Sequence, residues 1–218
     1  MPRAAARRAN ERRDARRMNG EHEITTERLL MRRWRPADRE PFAAMNCDPR
    51  VMELLPGLLS RAESDEYIEA IEDSFERRGY GLWALELRSS GELIGLTGLN
   101  RVAFEAHFTP AVEVGWRLAH ATWGHGYASE AGRAALRFGF ERARLGEIVS
   151  MTTTLNLRSQ AVMERIGMSR TQADDFIHPL ARREELLAHV LYRLTARDWS
   201  AAGAGAEAGA GAEETRAP

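Results

Sequence analysis

Residues Val112 to Ala131 read VEVGWRLAHATWGHGYASEA, and this stretch decides the fold. Val112 to Leu118 reads as a strand, a short loop follows, and Gly124 and Gly126 then open a helix expected to run from Gly126 to Arg142, with Ala131, Ala134 and Phe138 near one face. Glycines at such a helix start let the backbone approach a ligand closely. The first free N–H groups, at the positive end of the helix dipole, form a cradle for an anion. A diphosphate is the expected guest. The run also begins like a dinucleotide-binding fingerprint, with Glu147 about 20 residues further on. That reading fails on three counts. Ser129 stands at the third glycine position, the glycines lie several residues beyond the strand, and Glu147 precedes the next strand instead of ending it. A plain glycine-containing helix start is the other reading the stretch allows.

Outward from this stretch the apolar period switches repeatedly. Arg28 to Trp34 reads as a strand, and Ala37 to Asn46 as a short helix before a break at Asp48-Pro49. Ser60 and Glu63 have capping-box spacing, and Tyr67, Ile71 and Phe75 recur every four residues up to Gly79, which predicts an amphipathic helix. Leu82 to Leu87 and Leu93 to Leu99 flank Ser89-Ser90-Gly91-Glu92, a hairpin signal. Ile148 to Thr154 is a further strand, Asn156 caps a helix closing at Gly167, and Leu187 to Leu194 is a last strand. The order predicts a mixed α/β domain without regular βαβ alternation.

The composition excludes whole chemistries. The chain has 218 residues, and its 31 basic and 32 acidic side chains leave a net charge of -1, so no chain-wide field points to nucleic acid or an anionic membrane. Every basic residue is arginine, so no Walker lysine, kinase strand lysine or Schiff-base lysine is available. Cys47 is the only cysteine, which rules out an internal disulfide and any cysteine-rich zinc site and suits a reducing compartment. No apolar run reaches the ~18 residues of a membrane span, and the Arg-rich start lacks the apolar region of a secretory signal. A cytoplasmic location without membrane or nucleic-acid partners is expected.

Residues 1–20 hold seven arginines against Glu11 and Asp14, and read as a disordered tail, with a nucleic-acid or transit arm as the alternative and Met18 as an alternative start. Residues 201–218 form a low-complexity Ala/Gly/Glu tail. The folded domain is then expected over 21–200, with a net charge of about -4.

The helix opened by Asn156-Leu157-Arg158-Ser159 adds the second element of a pattern. Taken with TERLLMRRW (26–34), EVGW (113–116), WGHGYASEA (123–131), NLRSQAVMERIGM (156–168) and HVLYRL (189–194), in this order over Glu21 to Trp199, the chain resembles the GNAT superfamily of acetyl-CoA-dependent N-acetyltransferases. Within it the chain is most similar to the Rim-type branch, named for enzymes acting on ribosomal-protein N-termini. The resemblance implies the acyl-CoA N-acyltransferase fold, a mixed, mostly antiparallel sheet with splayed central strands flanked by helices. It also implies transfer of acetyl from acetyl-CoA to a primary amine, a protein N-terminal α-amine or a small molecule, by direct attack in a ternary complex.

The resemblance assigns roles residue by residue. The fourth and fifth strands splay, so that Leu118, Ala119 and His120 face the pantetheine arm, with Gly115 suited to the bulge that starts the splay. Gly124, Gly126, Tyr127 and Ala128 would hold the diphosphate through N–H groups, with His125 at its flank. Asn156 would lie beside pantetheine and Ser159 near the thioester sulfur, as a hydrogen-bond donor to the departing thiolate; Val162-Met163 occupies the place where many members carry an acidic Tyr. Ordinary helix-start chemistry, N-cap and N3, is the alternative for Asn156 and Ser159.

Glu113 is the candidate general base, on one strand face with Gly115 and Arg117; a solvated strand carboxylate is its alternative. His120 and His125 lack a third ligand, so no metal is expected. Cys47 reads as a small core residue, the tryptophans as core or lid, and the acidic run from Glu63 to Glu76 as a solvated face or a lure for a cationic amine. A non-catalytic acyl-CoA-binding regulatory module is the rival reading, and a monomer or homodimer is expected.

Overall fold

The computed structural model describes residues 22–202. The expected tail over 1–20, the start at Met18, Glu21, and residues 203–218 lie outside the described residues. Contacts divide the described chain into two compact units, one of residues 22–98 and 116–134, the other of residues 99–115 and 135–202.

The first unit begins with β1 (Ile24–Thr25) and β2 (Leu29–Arg32), followed by the helices α1 (Arg39–Asn46), α2 (Pro49–Met52) and α3 (Arg61–Arg78). It continues with β3 (Leu82–Leu87) and the first residues of β4 (Leu93–Arg101), then the end of β5 (Val112–Leu118) and the start of α4 (Tyr127–Arg137). β1, β2, β3 and β4 pair in that order, each antiparallel to the next. The helix α3 starts as its sequence dictates: Ser60 and Glu63 form the reciprocal capping box, and Gly79 ends it. Its inner face buries Ile68, Ile71 and Phe75, and the Phe75 ring meets Trp83 of β3 edge-on at 5.3 Å.

The acidic run on α3 lies mostly on the solvated face, as expected, and much of it is ion-paired. Glu72 and Glu76 pair with Arg33, Asp65 with Arg61 and Arg39, Glu69 with Arg39, and Asp73 with Arg77. Arg32, 3% exposed, is held by Asp38 and Glu86, both at 2.7 Å. α1 ends before Asp48-Pro49, as expected, and a separate short helix follows: Asp48 caps α2 by accepting from the Arg50 N–H, with Pro49 at its first position. One expectation is corrected. Cys47 is exposed at the end of α1, with its Sγ 3.1 Å from the Leu59 carbonyl oxygen, and is not a core residue.

The second unit contains β6 (Glu147–Thr153), α5 (Leu157–Arg165), β7 (Ser169–Arg170), β8 (Phe176–Ile177) and β9 (Ala188–Thr195). β6 pairs antiparallel with β9 from Glu147–Thr195 to Thr153–His189, and the two short strands β7 and β8 also pair with β9. β5 pairs parallel with β6 at one register position only, Glu113 with Val149. Beside that position the Ser150 hydroxyl donates to the Val114 carbonyl at 2.8 Å, a side-chain bond where a continuous ladder would use backbone. The strands are thus mixed and mostly antiparallel, with the short β5–β6 ladder that a splay requires. Leu99, Leu136, Ile148, Met163 and Leu191 are the largest fully buried side chains described in this unit. Among the described residues no helix is long and apolar enough to cross a membrane.

Candidate functional site

The loop before α4 has the backbone the sequence requires. Gly124 and Gly126 both sit at φ 80°, in the left-handed region where a side chain is strained, and the first helical bond runs from the Glu130 N–H to the Gly126 carbonyl at 3.1 Å. The Tyr127 and Ala128 N–H groups in this first turn are therefore left without helical acceptors, as at any helix start. A β-carbon on Gly124 would stand in open space, and one on Gly126 would meet only the Arg28 Nη2 at 3.5 Å, so the face these glycines present is open to a ligand. His125 lies between them, with its Nδ1 2.9 Å from the Trp123 carbonyl and its ring stacked on Tyr127 at 5.6 Å.

Arg28, which the sequence did not single out, braces this loop. Its Nη1 donates to the His125 carbonyl at 2.8 Å and its Nε to Glu130 at 2.7 Å, while the guanidinium lies 4.7 Å from the centre of the Tyr127 ring. Glu130 also accepts from Thr26 and from the Arg28 backbone, and these donors hold its carboxyl below the usual range in spite of its burial. The signal was present in TERLL and in GYASEA, one hundred residues apart, and only the tertiary fold joins them.

Upstream of the loop, Leu118 is buried at the end of β5, and Ala119 leads into the single 3₁₀ turn of His120–Thr122. The Ala119 N–H donates to the Ile94 carbonyl at 2.8 Å, and its own carbonyl takes both the Thr122 N–H and hydroxyl. The Leu118 carbonyl accepts the Trp123 indole N–H at 2.9 Å. The glycine that this close approach requires is Gly95, where a β-carbon would fall 2.2 Å from the Arg117 carbonyl oxygen; at Gly115 a β-carbon would meet nothing within 4 Å.

In the second unit Glu113 is only half-buried by surface area, yet the protein packed around its carboxyl removes enough water to push its pKa up to about 7, opposed by a hydrogen bond with the Asn100 side chain. Asn156 caps α5: its Oδ1 accepts from the Ser159 N–H at 3.1 Å, and its Nδ2 donates to the Thr152 hydroxyl at 3.1 Å. Its amide thus fixes the first turn of the helix and with it the Ser159 backbone. Elsewhere in this unit the rings of His178 and His189 lie 4.6 Å apart beside Phe104 and Phe176, and burial lowers the pKa of both, that of His189 to about 4. Among the described residues no group of three or more His, Cys, Asp or Glu is placed to hold a metal ion.

Comparison with known proteins places this geometry in a family. The acetyltransferase (GNAT) domain matches residues 28–169. The YkkB protein of Bacillus subtilis is 30% identical over 152 residues, covering 69% of this chain and 87% of that protein. A GNAT-family acetyltransferase from Bacillus anthracis superposes with a TM-score of 0.67 at 26% identity, covering 80% of this chain and 99% of that one. A ribosomal-protein-S5-alanine acetyltransferase from Vibrio fischeri has the same fold, with a TM-score of 0.66 at 16% identity over 81% and 98% of the two chains.

Proposed function

This chain belongs to the GNAT acetyltransferase family, and we propose that it transfers acetyl from acetyl-CoA to a primary amine, a protein N-terminal α-amine or a small molecule, by direct attack in a ternary complex. The observation that carries this reading is the loop from Gly124 to Ala128, with two left-handed glycines ahead of helix-start N–H groups that no helical carbonyl accepts. The N–H groups of Gly124, Gly126, Tyr127 and Ala128 suit a diphosphate, with His125 and Tyr127 stacked at its side. Bound acetyl-CoA supplies an acyl carbon activated as a thioester. Leu118, Ala119 and His120 border the pantetheine arm. Both backbone groups of Ala119 and the Leu118 carbonyl are engaged inside the chain, so the His120 N–H is the donor we assign to pantetheine on this stretch.

Glu113 acts as the general base. An amine acceptor arrives as an ammonium, and a carboxyl with a pKa of about 7 is ionised in good part at neutral pH while remaining a stronger base than an ordinary glutamate. It takes the ammonium proton, directly or through a water. As the C–N bond forms, the C–S bond breaks, the electron pair leaves on sulfur, and the second proton of the attacking nitrogen passes to that thiolate, giving the amide and coenzyme A. Ser159 donates a hydrogen bond to that thiolate from the first turn of α5, and Asn156 holds the turn in place. The single cysteine, which can form no internal disulfide, suits a cytoplasmic setting.

The test is thiol release from acetyl-CoA with a panel of primary amines. Amine-dependent release is expected. Binding of acetyl-CoA with no release for any amine would instead make the chain an acyl-CoA-binding regulatory module.

A further inference from the structure

The first unit carries an open pocket of about 400 Å³, lined by Met52, Leu59, Glu63, Glu66, Tyr67 and Arg117 among others. That volume admits a small metabolite-sized group. Arg117 lies on β5, two residues before the Ala119 turn that leads to the glycine loop. It is half-buried by surface area, but its guanidinium is desolvated enough that its proton affinity falls below the ordinary arginine value. Its partners are neutral: Nη1 donates to the Asn46 Oδ1 at 2.6 Å, and the Tyr67 ring centre lies 5.5 Å from its Cζ. Among the described residues Arg117 has no carboxylate within ion-pair distance. The contrast within the same unit is sharp. The two other desolvated arginines there, Arg32 and Arg33, each hold two carboxylates.

The opposite charge lining this pocket is a solvent-exposed carboxylate. Along the acidic face of α3, Asp65, Glu69, Glu72, Asp73 and Glu76 pair with arginines, whereas Glu66 has no bonded partner among the described residues. A guanidinium without an anion and a carboxylate without a cation thus line one pocket. Asn46, fully buried, fixes the orientation of Arg117, because its Nδ2 is committed to the Ser64 hydroxyl at 2.8 Å and leaves its Oδ1 for the guanidinium. Nη2 and Nε of Arg117 remain as a planar pair of donors, the geometry that matches a carboxylate.

We propose that Arg117 anchors the carboxylate of the amine acceptor, with Glu66 meeting its ammonium on approach, so that the acceptor is a small zwitterionic amine of the amino-acid class. This rests on the acetyl-transfer reading. A ligand carrying only negative charge would meet Glu63 and Glu66 in the same pocket, and a simple amine would leave Arg117 without a counter-ion; a zwitterion satisfies both ends.

The experiment measures thiol release from acetyl-CoA with the proteinogenic L-amino acids against their carboxamides, for the wild type, Arg117→Gln and Asn46→Asp, with melting scans on each. The carboxylate series should be favoured at least tenfold in kcat/KM. Arg117→Gln should raise KM for carboxylates at least tenfold, change the carboxamides little, and keep KM for acetyl-CoA within about twofold. Asn46→Asp supplies an internal carboxylate to Arg117, so it should raise the melting temperature while erasing the preference, a combination that a merely structural arginine would not give. Equal use of acids and amides by the wild type, or an Arg117→Gln loss that falls on both series alike or on acetyl-CoA, overturns the proposal. If acetyl-CoA shifts the melting temperature but neither series is turned over, the amino acids themselves are tested for a melting shift. A shift abolished by Arg117→Gln supports the anchor and removes the transfer reading, and no shift removes the anchor. Failure of acetyl-CoA itself to bind strikes the transfer reading first and takes the acceptor proposal with it.

Discussion

A β-carbon placed on Gly95 would lie 2.2 Å from the carbonyl oxygen of Arg117 and 2.8 Å from the Cα of Leu118. Here β4 approaches β5 more closely than any side chain permits, and the Ala119 N–H reaches the Ile94 carbonyl because of it. Gly95 also sits at φ 152°, which L-residues avoid. Gly95→Ala should therefore destabilise the protein by about 2–4 kcal/mol, from overpacking and backbone strain together. Urea unfolding measures it, and a loss below about half a kcal/mol would mean that the strands separate freely there.

Acetyl-CoA should raise the melting temperature, since a ligand that binds only the native state adds ~2.7 kcal/mol at a hundredfold excess over its Kd. Gly126→Val should abolish that shift. The branched side chain cannot hold φ 80° without strain, and it covers the face on which phosphate oxygens would sit. A melting scan with and without acetyl-CoA decides this, and a Val variant that keeps the full shift would move the diphosphate elsewhere.

Burial raises the Glu113 carboxyl from its ordinary 4.5 to about 7, so between those values the folded chain binds this proton more tightly than the unfolded chain. The resulting stabilisation is complete below the unfolded value and is lost as pH rises through about 7, where the fold must carry an ionised buried carboxylate at a cost on the order of 3 kcal/mol. Glu113→Gln should melt like the wild type at the acid end of that window and above it at pH about 8. The same variant should lose at least tenfold in kcat near neutral pH, with the deficit narrowing toward the amine's own pKa. Retention of full turnover would reduce Glu113 to a structural carboxyl.

Asp38 is 4% exposed and pairs with Arg32 at 2.7 and 2.8 Å. Asp38→Ala leaves that buried guanidinium with Glu86 alone and should cost about 3–5 kcal/mol. Asp73→Ala, which removes an exposed pair with Arg77, should cost less than about 1 kcal/mol. Similar losses in chemical denaturation for both would contradict the burial difference.

The sequence carried the local part of this structure. The Ser60/Glu63 box, the turn between β3 and β4 and the Asn156 cap are each decided by residues a few positions apart, and each stands where its pattern put it. The two-residue strands β7 and β8 exist only by pairing with β9, so no run of their own residues announces them. The break at Asp48-Pro49 was legible, but the four-residue helix that restarts there depends on the Asp48 cap. At the candidate site the glycine pair was legible, since positive φ is a property of residue type. The requirement at Gly95, the brace from Arg28 to Glu130 and the desolvation of Glu113 are products of packing between distant segments. Arg117 was legible as a position on a strand face, but its missing counter-ion is a fact about its surroundings.

The ion pairs of Arg32 with Asp38 and Glu86, and of Arg33 with Glu72 and Glu76, consist of guanidinium and carboxylate only, as they must in a chain without lysine. An ε-amine can be acylated and loses its charge when it is, whereas a guanidinium stays protonated at every physiological pH and presents no free amine lone pair to a thioester. A protein that gathers an acyl donor onto its own surface is exposed to that donor more than any other. The charges that tie β2 to β3 and to α3 are of the kind such a donor cannot erase, so this framework is chemically inert toward the reagent it handles.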